Sequence, residues 1–215
     1  LGHVYFELVD PRKKPYKVTL SFAGAFNAYN AALVIAMADQ IGIDIKEFIL
    51  GIKDTQIPGR MQPVVMPGAA LGIVDYAHTP EAIDNVLGAL KKQTHGKLIV
   101  VLGAGGNRDA EKRPFMGSAA EKFADKLIIT DDNPRDEIPA EIRKAVLSGV
   151  KNLANSLEIG SREEAIKEAV KHATVDDTIA VLGKGHETTQ EIAGQIIEFD
   201  DAKHLQSALK EKFGN

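Results

Sequence analysis

Four short segments of this sequence combine fixed charge, amide groups and glycine in ways suited to holding a small ion with two charged ends. Asp132-Asn133-Pro134-Arg135 follows the apolar run Leu127-Ile128-Ile129-Thr130 and reads as the end of a buried strand opening into a loop stiffened by proline. The Arg135 guanidinium can grip a carboxylate through two parallel hydrogen bonds, while Asp132 and Asn133 add an acceptor and an amide beside it. Gly183-Lys184-Gly185-His186-Glu187 brings a second carboxylate, and Glu187 can pair with an ammonium group across a pocket from Arg135. Gly103 to Asp109 is a glycine-rich loop with Arg108 at its tip, followed by Lys112 and Arg113 at the next helix start. Cations there oppose the helix dipole, and an anionic partner explains them better than helix stability does. Asp75-Tyr76-Ala77-His78-Thr79-Pro80 places Asp75 and Thr79 where a ribose or a phosphate could be met.

Each segment also has a plainer reading. The glycine-rich loop can be only a tight strand-to-helix turn, since glycine tolerates positive φ. It lacks the GK[ST] ending of a phosphate loop and is not a GxGxxG fingerprint. His78 can cap or pack, Asp75 can be an ordinary strand-end residue, and Lys184, His186 and Glu187 can be a solvated turn. Asn27 and Asn30, following Gly24, read as helix N-caps. Arg60 is a lone surface cation by default.

The elements that must position these segments come from the apolar pattern. Val4 to Val9 and Tyr16 to Leu20, joined by a Pro/Lys turn, predict a hairpin. Ala28 to Ile41 predicts a buried helix stopped by Gly42, and Asp44 caps a second helix over 45–52. The Pro/Gly-punctuated stretch 57–63 marks a domain boundary near residue 58. Beyond it strands alternate with helices: strands over 70–75, 97–102, 126–130, 157–159 and 178–182, and helices over 80–92, 112–123, 139–150, 162–173 and 202–213. A last hairpin is expected over 190–199 around Ala193-Gly194. Repeated strand-then-helix order implies a mainly parallel sheet with helices on both faces. Ligands of such sheets sit beyond the carboxyl ends of the strands, and all four polar segments fall there.

The 215 residues allow one large domain or a domain with part of another. A net charge of −4 argues against a generally basic nucleic-acid binder. The absence of cysteine excludes disulfides and thiolate metal sites and fits a reducing cytoplasm. No apolar run approaches the roughly 20 residues of a spanning helix. Leu1 to Asp10, with Glu7 and Asp10, is not a signal peptide. A chain opening inside a hairpin without Met is expected to be an excised fragment.

Taken together and in order, these segments resemble the Mur ligase family. Gly24 to Asn30 is similar to the asparagine motif of its central ATPase domain, Gly59-Arg60-Met61 to the segment whose arginine holds the ribose, and Asp75 to Pro80 to its DYAHTP loop. Gly103 to Pro114 resembles the GxGGDRDxxKRP loop, with Asn107 in place of the usual Asp, and Gly183 to Glu187 matches GKGHE, followed by Thr188 and Thr189 where an aromatic is common. Asp132 to Arg135 is the DNPR motif of members that add meso-diaminopimelate. The resemblance implies a mainly parallel, Rossmann-like α/β C-terminal domain over 58–215, preceded over 1–57 by the tail of the central ATP-binding domain. It implies a diaminopimelate site of Arg108, Asp132, Asn133, Pro134, Arg135, Gly183 and Glu187, and ATP contacts at Asn27, Arg60, Asp75 and His78. ATP and Mg²⁺ are the implied cofactors, with the metal ligands and the GxxGKT loop outside this sequence, so the fragment alone is expected to be inactive. The implied partners are small molecules (diaminopimelate, ATP and the UDP-linked muramoyl dipeptide), with no nucleic acid or membrane, for a cytoplasmic monomer. A site that pairs both charged ends of diaminopimelate leaves Arg135 unpaired when lysine binds, a defect of a kind that discriminates by roughly 10⁴-fold. Two other readings stand beside this one: a free-standing, non-catalytic binding module, and a related ligase for another amino acid such as lysine.

Overall fold

Alternating burial along Val4–Val9 (β1) and Pro15–Leu20 (β2) pairs these segments as an antiparallel hairpin, with Val4 opposite Leu20 and Val9 opposite Pro15. The computed structural model describes residues 3–21 and 24–214 and divides the chain into two compact units, Leu1–Ile57 and Pro58–Asn215. In the first unit, helices Phe26–Gln40 (α1) and Ile45–Ile52 (α2) pack on the hairpin through Val18, Leu20, Ala31, Ile35 and Ile45. The Asp44 carboxylate accepts the amides of Lys46 and Glu47 and so starts α2. Two expectations fail here. α1 is buried only along Asn27, Ala31, Ile35 and Ala38, while Tyr29, Leu33 and Met37 are exposed. Neither Asn27 nor Asn30 caps it: the cap position is Ala25 and Asn27 is already inside the first turn.

The second unit is a six-stranded sheet. Its strands are Gln62–Val64 (β3), Leu71–Asp75 (β4), Leu98–Ala104 (β5), Lys126–Asp131 (β6), Ser156–Glu158 (β7) and Thr178–Leu182 (β8), in the order β3-β4-β8-β5-β6-β7. β3 is antiparallel to β4, and every other pairing is parallel. β5 and β8 are buried along their whole length, which is why they read as unbroken apolar runs rather than as alternation. β3 was not anticipated: three residues holding Pro63 suit an edge strand but look like a linker.

Helices cover both faces. Pro80–Lys91 (α3), Lys112–Glu121 (α4) and Pro139–Leu147 (α5) lie side by side against β8, β5 and β6. Arg162–His172 (α6) and Asp201–Phe213 (α7) pack together on the face carrying Val74, Ile99, Val101, Ile128 and Val181. Thr79, Ser161 and Asp200 cap α3, α6 and α7 through their side-chain oxygens. A hairpin of Thr189–Ile192 (β9) and Gln195–Glu198 (β10) turns at Ala193-Gly194, as the sequence predicts. Among the described residues no helix is long and apolar enough to cross a membrane.

Candidate functional site

The strand order brings the polar segments onto one rim. The loops that leave β4, β8, β5 and β6 (75–80, 183–187, 103–108 and 131–135) stand next to one another at the carboxyl ends of parallel strands. Glycines allow neighbouring loops to touch through their backbones. A Cβ on Gly106 would overlap the Pro134 carbonyl oxygen, and one on Gly59 would overlap the His186 amide. The Gly106 amide instead donates to the Asn133 carbonyl at 2.8 Å.

The loop after β6 is held from two sides. Arg135 sits at φ +53°, a left-handed conformation that a non-glycine residue adopts only when its surroundings impose it. The imposing element is the β9–β10 hairpin. The Arg135 amide donates to the Glu191 carbonyl at 3.0 Å, and the Ala193 amide donates to the Arg135 carbonyl at 2.7 Å. Gln190 Nε2 donates to the Asp132 carbonyl at 2.6 Å, and the Glu191 amide donates to Asn133 Oδ1 at 3.0 Å. On the other side, Arg135 Nη1 donates to the Gly106 carbonyl at 2.7 Å. A Cβ on Gly105 would lie 3.2 Å from that Nη1 and 3.8 Å from Arg108 Cγ, so Arg108 and Arg135 flank the same glycine.

Glu187 is engaged within the protein. Its Oε2 accepts from Asn133 Nδ2 at 2.7 Å and from Lys184 Nζ at 3.1 Å, and Lys184 also donates to Asn133 Oδ1 at 3.1 Å. Lys184 is completely buried, so this segment is no solvated turn. Arg135 pairs with Glu191, Nε to Oε2 at 3.3 Å. The charges that would measure a zwitterion are therefore each answered by a side chain of this protein, with Asn133 joining the Glu187 group to the hairpin. Asp132 is the carboxylate left over. Among the described residues it makes no ion pair, and its Oδ2 lies 2.5 Å from where a Cβ on Gly183 would sit. Burial pushes its pKa up, against the opposing pull of Arg162 and Lys184.

Arg113 also departs from expectation. Its anionic partner lies within the chain: Nη1 and Nη2 donate to the two carboxylate oxygens of Glu137, both at 2.8 Å, and Nη2 donates to the Gly105 carbonyl at 3.2 Å. This fork ties α4 to the two loops and leaves Arg113 buried. Asn107, at φ +51°, donates its side-chain amide to Asp136 at 2.7 Å and its backbone amide to Glu137. An aspartate there would set like charges together, which accounts for asparagine.

At the β4–β8 end of the rim a second group forms. The Arg60 guanidinium lies 4.6 Å over the Tyr76 ring, and the rings of His78 and His186 stand 4.6 and 5.6 Å from the same tyrosine. His78 Nδ1 is 2.7 Å from the Tyr76 carbonyl, which can only accept, so this nitrogen is the donor. Asp75 spends its carboxylate on the chain itself, accepting the Met61 and Ala77 amides at 2.7 and 2.8 Å. Burial raises its pKa against those two bonds. Among the described residues no group of three or more acidic or histidine side chains is placed to hold a metal ion. Asn27, in the first unit, is buried within α1.

Sequence reasoning overlooked Gln190, Glu191, Glu137, Arg162 and Asp201. The last two form a fully buried pair beneath the rim. One signal was available: Arg162 opens a helix directly after its serine cap, the same breach of dipole preference that singled out Arg113.

A model of the Mur ligase glutamate ligase domain matches residues 59–185, more than half of the chain. A UDP-N-acetylmuramoyl-L-alanyl-D-glutamate–2,6-diaminopimelate ligase of Corynebacterium glutamicum is 44% identical over 100% of this chain and 43% of its own length. The ligase of the same name from Aquifex aeolicus is 44% identical over 91% of this chain and 40% of its own length. A solved structure of a protein with that name superposes at a TM-score of 0.70 with 37% identity, covering 97% of this chain and 43% of that one. A pseudomurein peptide ligase type C from Methanothermus fervidus shares the fold at a TM-score of 0.71 and 21% identity, over 98% of this chain and 40% of its own. The chain thus spans about two fifths of the length of the relatives it matches. Its sheet, its rim of glycine-bordered loops and the match over 59–185 place this chain in the Mur ligase family.

Proposed function

We propose that this chain is the amino-acid-binding and nucleotide-closing part of an ATP-dependent ligase that adds meso-diaminopimelate to UDP-N-acetylmuramoyl-L-alanyl-D-glutamate. In this reading residues 58–215 are the C-terminal domain and residues 1–57 the tail of the central ATP-binding domain. The observation that carries it is the Asp132–Arg135 loop, clamped by the β9–β10 hairpin with Arg135 beside Arg108 and Asn133 beside Glu187. The name shared by the relatives from C. glutamicum and A. aeolicus supports the substrate.

The roles follow from the geometry. Arg135, with Arg108 across Gly105, takes the distal carboxylate of the amino acid, which displaces the half-exposed Glu191 from the guanidinium. Asp132 and Glu187 take the neighbouring ammonium, with Asn133 orienting Glu187 and Gly183 leaving room for the backbone to approach. The ligand's binding energy serves to hold its other amine for attack, which is positioning rather than acid–base work. ATP supplies the activation: its γ-phosphoryl group passes to the D-glutamyl γ-carboxylate with release of ADP, the neutral amine attacks the acyl phosphate, and inorganic phosphate and a proton from nitrogen leave as the amide forms. Arg60, Tyr76 and His78 offer an open cation and ring faces to the nucleotide, with Asp75 holding that loop in shape. Asn27 is assigned to the adenine. The Mg²⁺ that accompanies ATP is assigned to the nucleotide's phosphates. The reaction is cytoplasmic and belongs to peptidoglycan synthesis, and hence to cell shape and division, with the ligase working as a monomer.

The test is ligation by the full-length protein with diaminopimelate against lysine, ornithine and lanthionine. Diaminopimelate should be preferred by orders of magnitude over lysine, and equal use of the two would end this reading.

A further inference from the structure

The buried pair beneath the rim has a geometry that mere stability does not require. Arg162 opens α6 and Asp201 opens α7, and both side chains are wholly buried. Arg162 Nε and Nη2 donate to the two oxygens of Asp201, each at 2.7 Å, which fixes the plane of the guanidinium. Its remaining contacts run to the sheet: Nη2 donates to the Leu182 carbonyl at 3.0 Å and Nη1 to the Asp131 carbonyl at 3.4 Å. Those carbonyls end β8 and β6, the two strands that flank β5. Between them lies Gly103 of β5, where a Cβ would come within 3.0 Å of Arg162 Nη1 and 2.9 Å of Asp132 Cβ. One planar cation therefore spans three strand ends, and the residues that follow its two acceptors are Asp132 and Gly183.

We infer that Arg162, held in plane by Asp201, is a positioning residue that sets the separation between the Asp132–Arg135 loop and the Gly183–Glu187 loop of the amino-acid site. The inference rests on the proposed function for the identity of that site, though not for the geometry. Two physical arguments favour it over a purely structural role. A buried ion pair can usually be replaced by apolar side chains of like volume at no loss of stability, so burial alone does not call for one. A single ammonium cannot reproduce the fork either: lysine could reach Asp201 but could not hold that plane and both carbonyls together. The same guanidinium also bears on the charges of the site, lowering the pKa of Asp132 against the burial that raises it.

The experiment uses the full-length protein with Arg162→Lys and with the double substitution Arg162→Met, Asp201→Leu. Arg162→Lys should raise KM for the amino acid by about tenfold to a hundredfold, as expected for a misplaced binding group, and leave KM for ATP within about twofold. The double substitution should keep thermal stability near that of the parent while KM for the amino acid stays raised. Amide hydrogen exchange should quicken at 132–135 and 183–187 in both variants and stay slow along β5 and β6. A double variant with parental KM and parental protection of both loops would overturn the inference, as would equal rises in KM for ATP and for the amino acid. If the parent protein shows no preference among amino acids, the proposed substrate fails instead, and loop protection alone then decides whether Arg162 positions the two loops.

Discussion

At the β4–β8 end of the rim the cations and rings stand in the open: Arg60, His78 and His186 are exposed around Tyr76. Toward the β5–β6 end Arg113 and Arg162 are sunk into the protein, each bonded to a carboxylate of this chain, while Arg108 stays exposed at its loop tip. Both ends belong to one parallel sheet and are bordered by glycines, and they differ in who answers the charge. An open group can be reshaped by its ligand, and mutating it touches little else. A buried, internally answered group is fixed before the ligand arrives, which lowers the ordering cost of binding and makes each member structurally costly to remove.

The largest expected effect breaks the comparison if it fails. Arg162→Met alone leaves Asp201 buried without its partner and should cost about 3–5 kcal/mol in denaturant unfolding, whereas Arg60→Met, which loses only an exposed cation–π contact, should cost no more than about 1 kcal/mol. Similar losses at both positions would show that burial is not what separates the two ends. Next, Arg135→Ala in the full-length protein should raise KM for diaminopimelate by roughly ten- to 150-fold, the loss of hydrogen bonds to a charged group, with KM for ATP little changed. Steady-state kinetics on both substrates checks it, and equal rises would reassign Arg135 to structure.

The two buried carboxylates sharpen the contrast. Asp132 has a pKa raised above 3.8 in the folded chain, so its contribution to stability is full below pH 3.8 and is lost as pH rises through the raised value. Asp132→Asn should therefore be more stable than the parent at neutral pH, with the gap closing as pH falls toward 3.8, while binding of the amino acid weakens. Asp75 is raised by burial as well, but its two oxygens accept two backbone amides and an asparagine offers only one such oxygen. Asp75→Asn should lose stability at neutral pH, and unfolding curves at two pH values distinguish the pair. The smallest effect is at Tyr76→Ala, which removes a cation–π contact worth about 0.5–1 kcal/mol. It should raise KM for ATP a few-fold and leave that for the amino acid alone.

Much of the fold was legible because its signals are local. β5 and β8 are apolar runs bounded by turn residues, and Asp44 announces the helix it caps. The rim itself followed from strand order, since parallel strands place all their exits on one side. What remained hidden was pairing across distance. Arg162 finds Asp201 39 positions away, and Asn133 finds Glu187 54 positions away. No periodicity encodes such partners, so the sequence offered Glu187 only a ligand ammonium, across a pocket from Arg135, and Arg113 only an outside anion. The first helix misled for another reason: asparagines near a helix start usually cap it, yet here Ala25 takes that place and Asn27 is carried inside.

The grip of the β9–β10 hairpin on Arg135 has a consequence for redesign. The unusual backbone of that arginine is maintained by amides and carbonyls more than fifty positions downstream, at Glu191 and Ala193. Transplanting the four residues Asp132 to Arg135 into a relative of different appetite would move the letters without the splint that shapes them. Selectivity in this scaffold should travel as a pair of segments, and a graft that omits the downstream one should inherit neither the old preference nor the new.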